Sequence, residues 1–140
     1  MELSKKIAVD QKTELAMKQM GELIAEIRGQ RSLRKIAEPS GIPASQLQYI
    51  ERGNMTPTAD VYPKLLDSLQ PDKKQRAKMD QLYMTIRKTP PPDVCELITN
   101  NPDLVQLLRV LGDSKLTKKK INALSAFAKQ KNIEGEADNG

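Results

Sequence analysis

Residues 32–53 read SLRKIAEPSGIPASQLQYIERG, and the spacing of their apolar and glycine residues decides the fold that we expect. Apolar residues recur at helical intervals on both sides of Gly41, which predicts two short helices joined at a residue that accepts a positive φ. Gly53 comes where the second helix would end. The inward positions are Leu33, Ile36, Ala37, Leu47 and Ile50. Two short helices with a glycine turn between them predict a helix-turn-helix.

Helical periodicity continues on both sides of this motif and predicts an all-α protein. One amphipathic stripe runs through residues 13–28, another ends near Leu69, and a third covers residues 72–88. A proline-rich stretch and three further short helical patterns follow. The expected segments are an N-terminal arm (1–12), a helix-turn-helix domain (13–70), a basic connecting helix (71–88), a Pro-rich linker (89–92), a helical C-terminal region (93–132) and a disordered tail (133–140).

The composition excludes several kinds of site. The 140 residues include no His and a single Cys, Cys95, which excludes a Ser-His-Asp triad, a His-activated thiol, a His-ligated zinc site and an internal disulfide. No apolar run approaches the roughly 18 residues of a membrane span. We therefore expect a cytoplasmic binding protein that is not an enzyme, uses no metal or cofactor and does not enter a membrane. An excess of 23 Lys and Arg over 18 Asp and Glu indicates nucleic acid only weakly.

Residues of the motif and its flanks match a known pattern. They are Ser32–Ala37, Gly41, Ile42, Leu47, Ile50–Gly53, Pro57, Thr58, Leu65, Leu66 and Leu69. In these residues the chain resembles the Cro/phage-repressor-type (XRE) helix-turn-helix family, over about half of its length. The resemblance implies a five-helix, lambda-repressor-like domain. It also implies a sequence-specific transcriptional regulator, a repressor that binds a palindromic operator in double-stranded DNA as a homodimer, through the major groove.

The resemblance also implies a set of DNA-contacting residues. Base contacts fall on the first turns of the second helix, at Ala44, Ser45, Gln48 and Tyr49. Phosphate contacts fall just after that helix, at Arg52 and Asn54. Arg31, Arg34 and Lys35 border the same face, and we expect them to contact phosphate as well. Glu51, in contrast, is expected to make an internal polar contact with the first helices.

Three positions depart from the family pattern and favour an alternative function. Leu33 stands where the family has a phosphate-binding Gln, and Pro43 replaces the Ser or Thr that caps the recognition helix. Pro39 removes a backbone hydrogen bond late in the first helix. The alternative is a protein-interaction adaptor, or an antitoxin that binds its toxin and its own operator. The partner is then a protein such as a toxin or an antirepressor.

The helical C-terminal region is too small to form a good core alone, which favours pairing with a second copy. The residues expected to dimerise are Leu104, Leu107, Leu108, Leu111, Leu124 and Phe127. The other interpretation is that these helices fold back onto the N-terminal half of the same chain. The basic connecting helix, 71–88, also has two interpretations: it flanks the DNA backbone, or it is a solvated connection.

Overall fold

The computed structural model describes the backbone of residues 2–130 and the side chains of residues 11–130. Within those limits all regular structure is helical, which confirms the all-α prediction, and no helix is long and apolar enough to cross a lipid bilayer. In chain order the helices are α1 (Glu2–Arg28), α2 (Leu33–Ser40), α3 (Ala44–Glu51), α4 (Val61–Leu69), α5 (Lys73–Arg87), α6 (Pro92–Asn100), α7 (Asp103–Asp113) and α8 (Lys118–Ala128).

The first compact unit, Met1–Leu97, has its core where helices α1 to α5 meet. Helix α1 packs on α3 and α5, and α2 packs on α3 and α4. The buried apolar residues form one cluster: Ala16, Met20, Ile24, Ile36, Ala37, Ile42, Leu47, Ile50, Tyr62, Leu65, Leu66, Leu69, Met79, Leu82 and Tyr83. Each of the five helices contributes to it, so each is held in place by apolar burial, at about 25 cal/mol per Å² removed from water.

Local hydrogen bonds and one positive φ build the turn between α2 and α3. Ser32 caps α2, because its hydroxyl accepts the Lys35 backbone N–H at 3.1 Å. Gly41 follows α2 with a φ of +77°, and its N–H donates to the Glu38 carbonyl at 3.1 Å. Glycine suits this left-handed position because it has no Cβ to clash with the backbone. The turn lies where the sequence predicted it.

Two stacked tyrosines form the aromatic part of the core. The ring centroids of Tyr62 and Tyr83 are 4.3 Å apart, and the Tyr62 hydroxyl donates to the Asp80 carboxylate at 2.7 Å. Burial raises the pKa of Tyr62 far above its ordinary value, and the hydrogen bond to Asp80 adds to this effect. Burial also raises the pKa of Tyr83. This pair joins α4 to α5 by packing and by a hydrogen bond.

Two helix starts differ from the sequence-based expectation. Helix α1 begins at Glu2, so residues 2–12, which the sequence analysis set apart as an N-terminal arm, are helical and continuous with the first helix. That stretch contains no Gly or Pro, and nothing in it ends a helix that the following stripe already supports. Helix α6 begins at Pro92, which removes the last residue of the predicted linker. Proline is tolerated there because an N–H in the first turn has no intrahelical partner.

The second compact unit, Ile98–Gly140, contains the end of α6 together with α7 and α8. Thr117 caps α8, because its hydroxyl accepts the Lys120 backbone N–H at 3.1 Å. None of this unit's described residues, 98–130, is buried. Leu107, Leu108 and Phe127 are among its exposed large apolar residues. The predicted tail, 133–140, lies outside the described residues.

Candidate nucleic-acid interface

Helix α3 is held by its apolar face and by a close backbone contact with α1. Leu47 and Ile50 are buried in the core, with exposed fractions of 0% and 1%. Gly21 of α1 lies against the last turn of α3, where an added Cβ would be 2.5 Å from the Ile50 carbonyl oxygen. Only glycine permits this approach of two backbones. The apolar face of α3 is therefore held against the core and α1, so the opposite face must point outward.

The outward face of α3 carries most of the residues to which base contacts were assigned. Ser45, Gln48 and Tyr49 are exposed, Tyr49 by 53%. Residues three and four apart are neighbours on a helix surface, so the structure brings these three side chains together. Ala44 differs from them, because it is half-buried and packs against the core. Only part of its methyl group is accessible.

Arg52 and Asn54 follow α3 directly, and both are exposed. The backbone N–H of Arg52 donates to the Gln48 carbonyl, and that of Asn54 donates to the Tyr49 carbonyl, each at 3.0 Å. These two hydrogen bonds hold the backbone of both residues beside the last turn of α3. Their side chains are therefore available next to the outward face.

Arg34 and Lys35 lie in the first turn of α2, and both are exposed. An ion pair joins the Nε of Arg34 to a Glu38 carboxylate oxygen at 4.0 Å. Both side chains of this pair are more than three-quarters exposed, and such a loose surface pair contributes little to stability. The Arg34 guanidinium is therefore free to exchange this partner for another anion.

Arg31 was grouped with these cations, but its guanidinium is occupied within the fold. Its Nη2 donates to the Ile27 carbonyl at 2.6 Å and to the Leu69 carbonyl at 3.1 Å, and its Nε donates to the Arg28 carbonyl at 3.0 Å. These bonds join the end of α1 to the end of α4. Arginine commonly satisfies the last carbonyls of a helix, so the position of Arg31 just after α1 was a signal for this role.

Glu51 is paired with Arg28, which confirms the expectation of an internal polar contact. The Arg28 Nε donates to Glu51 Oε2 at 2.6 Å, and its Nη2 donates to Oε1 at 2.9 Å. The hydrogen bonding to Glu51 raises the pKa of the Arg28 guanidinium. Two parallel bonds between a guanidinium and a carboxylate hold both groups in one geometry. The pair thus fastens the end of α3 to the end of α1.

The start of α3 has no side-chain cap, because Pro43 occupies the N-cap position. The first N–H groups of a helix lack intrahelical acceptors and carry partial positive charge, which suits a phosphate oxygen. No Lys or Arg occurs within α3 itself. The outward face of α3 therefore offers hydroxyl and amide groups, while the cations lie beside it on Arg34, Lys35 and Arg52.

A contact that the sequence did not indicate joins the end of α5 to the loop after α3. The Arg87 Nη2 donates to the carbonyls of Thr56 and Pro57, each at 3.0 Å. An open groove of about 410 Å³ adjoins this contact, and Gln46 and Met55 are among the residues that line it. Arg87 lies about thirty residues from its acceptors along the chain, and no local pattern marks such a pairing.

Comparison with protein-family models, with curated proteins and with solved structures finds no match to this chain. The family resemblance therefore rests on the sequence pattern in residues 20–69 alone. The geometry adds that three of the four residues assigned to base contacts share one exposed helix face. It also shows that four of the five assigned phosphate-contacting residues are exposed and that Arg31 is engaged inside the fold.

Proposed function

We propose that this chain is a cytoplasmic, sequence-specific regulator of transcription, a repressor that inserts α3 into the major groove of double-stranded DNA. The observation that carries the proposal is the two-faced character of α3. Leu47 and Ile50 anchor one face in the core, and Ser45, Gln48 and Tyr49 stand together on the other. A single α-helix fits the major groove of B-form DNA. Repression follows from occupying an operator that overlaps a promoter, which requires no catalytic step.

The outward side chains of α3 have the chemistry of base recognition. The Gln48 amide can donate and accept at once, which matches the adjacent acceptor and donor on the edge of an adenine. Ser45 supplies a hydroxyl that can donate or accept a hydrogen bond. Tyr49 adds a ring edge and a phenol. Without an Arg or Lys in α3, paired hydrogen bonds to guanine from this helix are not expected, so the proposed operator contacts are rich in A·T pairs.

Positioning on the DNA is assigned to residues beside the helix. Arg52 and Asn54 are held by backbone hydrogen bonds at its end, and Arg34 and Lys35 are exposed at the start of α2. Such contacts fix the register of a protein on the duplex without reading sequence. Arg31 is left out of this set, because its donors already serve three backbone carbonyls.

Dimerisation completes the proposal. One recognition helix contacts few base pairs, and this class gains specificity from two helices about one DNA turn apart. The second unit offers a surface for this, because α7 and α8 bury none of their own apolar residues. Leu107, Leu108 and Phe127 are each roughly half exposed. A second copy of the same helices would cover these side chains and would give the complex the symmetry of a palindromic operator.

The deciding experiment is selection of binding sites from random DNA duplexes by the full-length protein. We expect an enriched palindrome whose half-sites are about one helical turn apart. Its affinity should fall linearly with salt on a log–log plot, with a slope of about 0.9 per phosphate contacted. A selection that enriches no motif would contradict the proposal.

Variants assign the residue roles in that experiment. Gln48→Ala and Tyr49→Ala should change which bases are preferred. Arg52→Ala should weaken binding to selected and to random duplexes alike. Gln130→Ala is the matched control, because Gln130 is exposed and lies beyond α8. If Gln48→Ala, Tyr49→Ala and Arg52→Ala all bind the selected operator as the parent does, α3 is not the recognition helix.

The dimer is tested separately with the double variant Leu108→Glu/Phe127→Glu. We expect sedimentation to show a monomer and operator affinity to fall by more than about tenfold, because charge on a paired apolar face opposes association. If the variant instead stays at the parent's mass while its unfolding midpoint falls, these residues pack within one chain, as in the fold-back interpretation.

A second candidate function is a protein-interaction adaptor or an antitoxin. The observation in its favour is the start of α3, where Pro43 provides no capping hydroxyl and the helix contributes no cation. Such a domain keeps the helical packing and presents Tyr49 and its neighbours to a protein. The same selection separates the candidates, because an adaptor enriches no DNA motif, whereas an antitoxin enriches one and also binds its toxin.

A further inference from the structure

A shallow groove lies between α1 and α5, and none of its lining residues belongs to α2, α3 or the loop that follows α3. Its volume is about 180 Å³. Ala16 and Leu82 form its buried floor, and Leu15 stands beside them with 57% of its surface exposed. Single exposed leucines are common on protein surfaces. This one is continuous with the core, so an apolar group placed against it would extend the core outward.

The charged side chains known to line the groove are both positive. Lys12 from α1 and Lys78 from α5 line it and are exposed, and none of the lining residues whose side chains the structure describes is Asp or Glu. Lys74, one turn before Lys78 on α5, is exposed as well. The nearest carboxylate along α1 belongs to Glu14, which lines a separate depression on the other flank of Leu15. Two lysines from different helices thus border an apolar floor.

We propose that this groove binds an acidic amphipathic segment of another protein. One large apolar side chain of the segment packs against Leu15 and Leu82, and its carboxylates face Lys12 and Lys78. The charge complementarity selects an acidic partner over a neutral one. The exposed leucine selects a peptide over a DNA backbone, because a phosphate chain has no apolar group to place there.

The size of the groove argues for a peptide anchor rather than a small metabolite. Small-molecule sites usually enclose about 300–1,000 Å³ and bury most of the ligand. A volume of about 180 Å³ accommodates little more than one side chain of a longer segment. Helices that dock on grooves do so through a few anchors of this kind, with charged residues around them. The inference does not depend on the proposed DNA binding, because no lining residue is shared with α3.

The test begins with selection of random displayed peptides on the immobilised full-length protein. We expect the enriched peptides to be acidic and to share at least one large apolar residue. The best of them, synthesised with a fluorescein label, is then titrated by fluorescence anisotropy against the parent protein and its variants. Leu15→Asp should weaken binding by about tenfold or more, since it replaces the anchor contact with a carboxylate that repels the peptide.

Charge reversal provides a second variant that leaves the packing untouched. Lys12→Glu/Lys78→Glu should also lower the affinity for the peptide by about tenfold or more. Both lysines are exposed, and reversing their charge turns attraction of the acidic peptide into repulsion. Lys64→Glu/Lys115→Glu is the matched control, with the same change in net charge at exposed lysines outside the groove. The control should keep the parent affinity within about twofold, since neither lysine lines the groove and charges that do not contact the peptide are screened by salt.

Several outcomes would overturn the proposal. Enriched peptides without acidic character, or peptides that bind Leu15→Asp and the lysine double variant as tightly as the parent, place the binding elsewhere. Equal losses from the groove lysines and the control lysines show attraction by net charge alone. If Lys12→Glu/Lys78→Glu weakens binding to random DNA while no acidic peptide is enriched, the lysines serve the phosphate backbone. Failure of this test leaves the operator selection unaffected, so the two proposals fail independently.

Discussion

The two compact units of the chain use the same helical patterning and reach opposite degrees of burial. In the first, the apolar stripes of α1 to α5 meet in one cluster that encloses Leu47 and Tyr62 almost completely. In the second, α7 and α8 carry regular apolar stripes, yet none of their residues is buried. The first unit has enough helices to surround a common volume, whereas a unit of about 40 residues rarely buries enough surface to form a core alone. An amphipathic pattern shows that a face suits burial, but the number and arrangement of neighbours decide whether it is buried.

The same substitution at one leucine in each unit should change the free energy of unfolding by different amounts. The largest loss is expected in the core. Leu47→Ala should lower the free energy of unfolding by about 2–5 kcal/mol, because it removes a fully buried side chain and leaves a cavity. Leu116→Ala, at an exposed leucine of the second unit, should change it by less than about 0.5 kcal/mol. Urea titrations followed by circular dichroism measure both. Equal losses would mean that Leu116 is covered in solution.

Substitution of one glycine in each unit tests the same difference in packing. Gly21→Ala should destabilise by about 1–3 kcal/mol, because its methyl group would meet the carbonyls of Ile50 and Glu51 at the end of α3. Gly112→Ala, in α7, meets no atom within 4 Å and should raise helicity, since alanine favours a helix by about 1 kcal/mol over glycine. Thermal unfolding and helical ellipticity distinguish the two. A neutral Gly21→Ala would show that α1 and α3 separate easily.

The buried tyrosine gives a prediction in pH. Because folding raises the pKa of Tyr62, its contribution to stability is fully present below the unfolded value of about 10 and is lost as pH rises above it. Tyr62→Phe should cost about 1 kcal/mol at neutral pH, through loss of the bond to Asp80. It should also flatten the decline of stability above pH 10. Denaturation midpoints at neutral and alkaline pH measure this, and an unchanged alkaline slope in Tyr62→Phe would contradict it.

The smallest expected effects concern two helix caps whose hydrogen bonds have the same length. Ser32 and Thr117 each accept a backbone N–H at 3.1 Å, one in each unit. Ser32→Ala should lower the unfolding free energy of the first unit by about 0.5–1 kcal/mol. Thr117→Ala should lose a similar amount locally, seen as faster amide exchange in α8 with no shift in the main unfolding transition. A shift of that transition by Thr117→Ala would show that the two units unfold together.

Local features were predicted well where their cause is local. The turn at Gly41 and the inward positions of Leu47 and Ile50 depend on spacing within a few residues, and the structure has each of them. The start of α1 was not predicted, because the stripe that identified the helix begins after residue 12, while the helix itself extends to Glu2. A hydrophobic stripe reports where a helix packs and not where it begins.

Contacts between distant residues were not accessible to the same reasoning. Arg31 was assigned to phosphate because exposed and capping arginines look alike in a sequence, whereas its bond to Leu69 depends on how α1 and α4 meet. Arg87 and Gly21 owe their roles to partners about thirty residues away. The exposure of Leu15 was likewise undecided until α5 was placed beside α1.

By itself, the sequence determined that this protein is built from helices, where the turn between α2 and α3 lies, and which side of α3 faces inward. These properties follow from side-chain periodicity and glycine geometry, which act over a few residues. The tertiary structure decided which polar groups are left for a partner: Arg31 and Glu51 are engaged inside, while Gln48, Tyr49 and Arg52 stand outside. Whether a charged group is free depends on neighbours brought together by folding, and no local pattern contains that information.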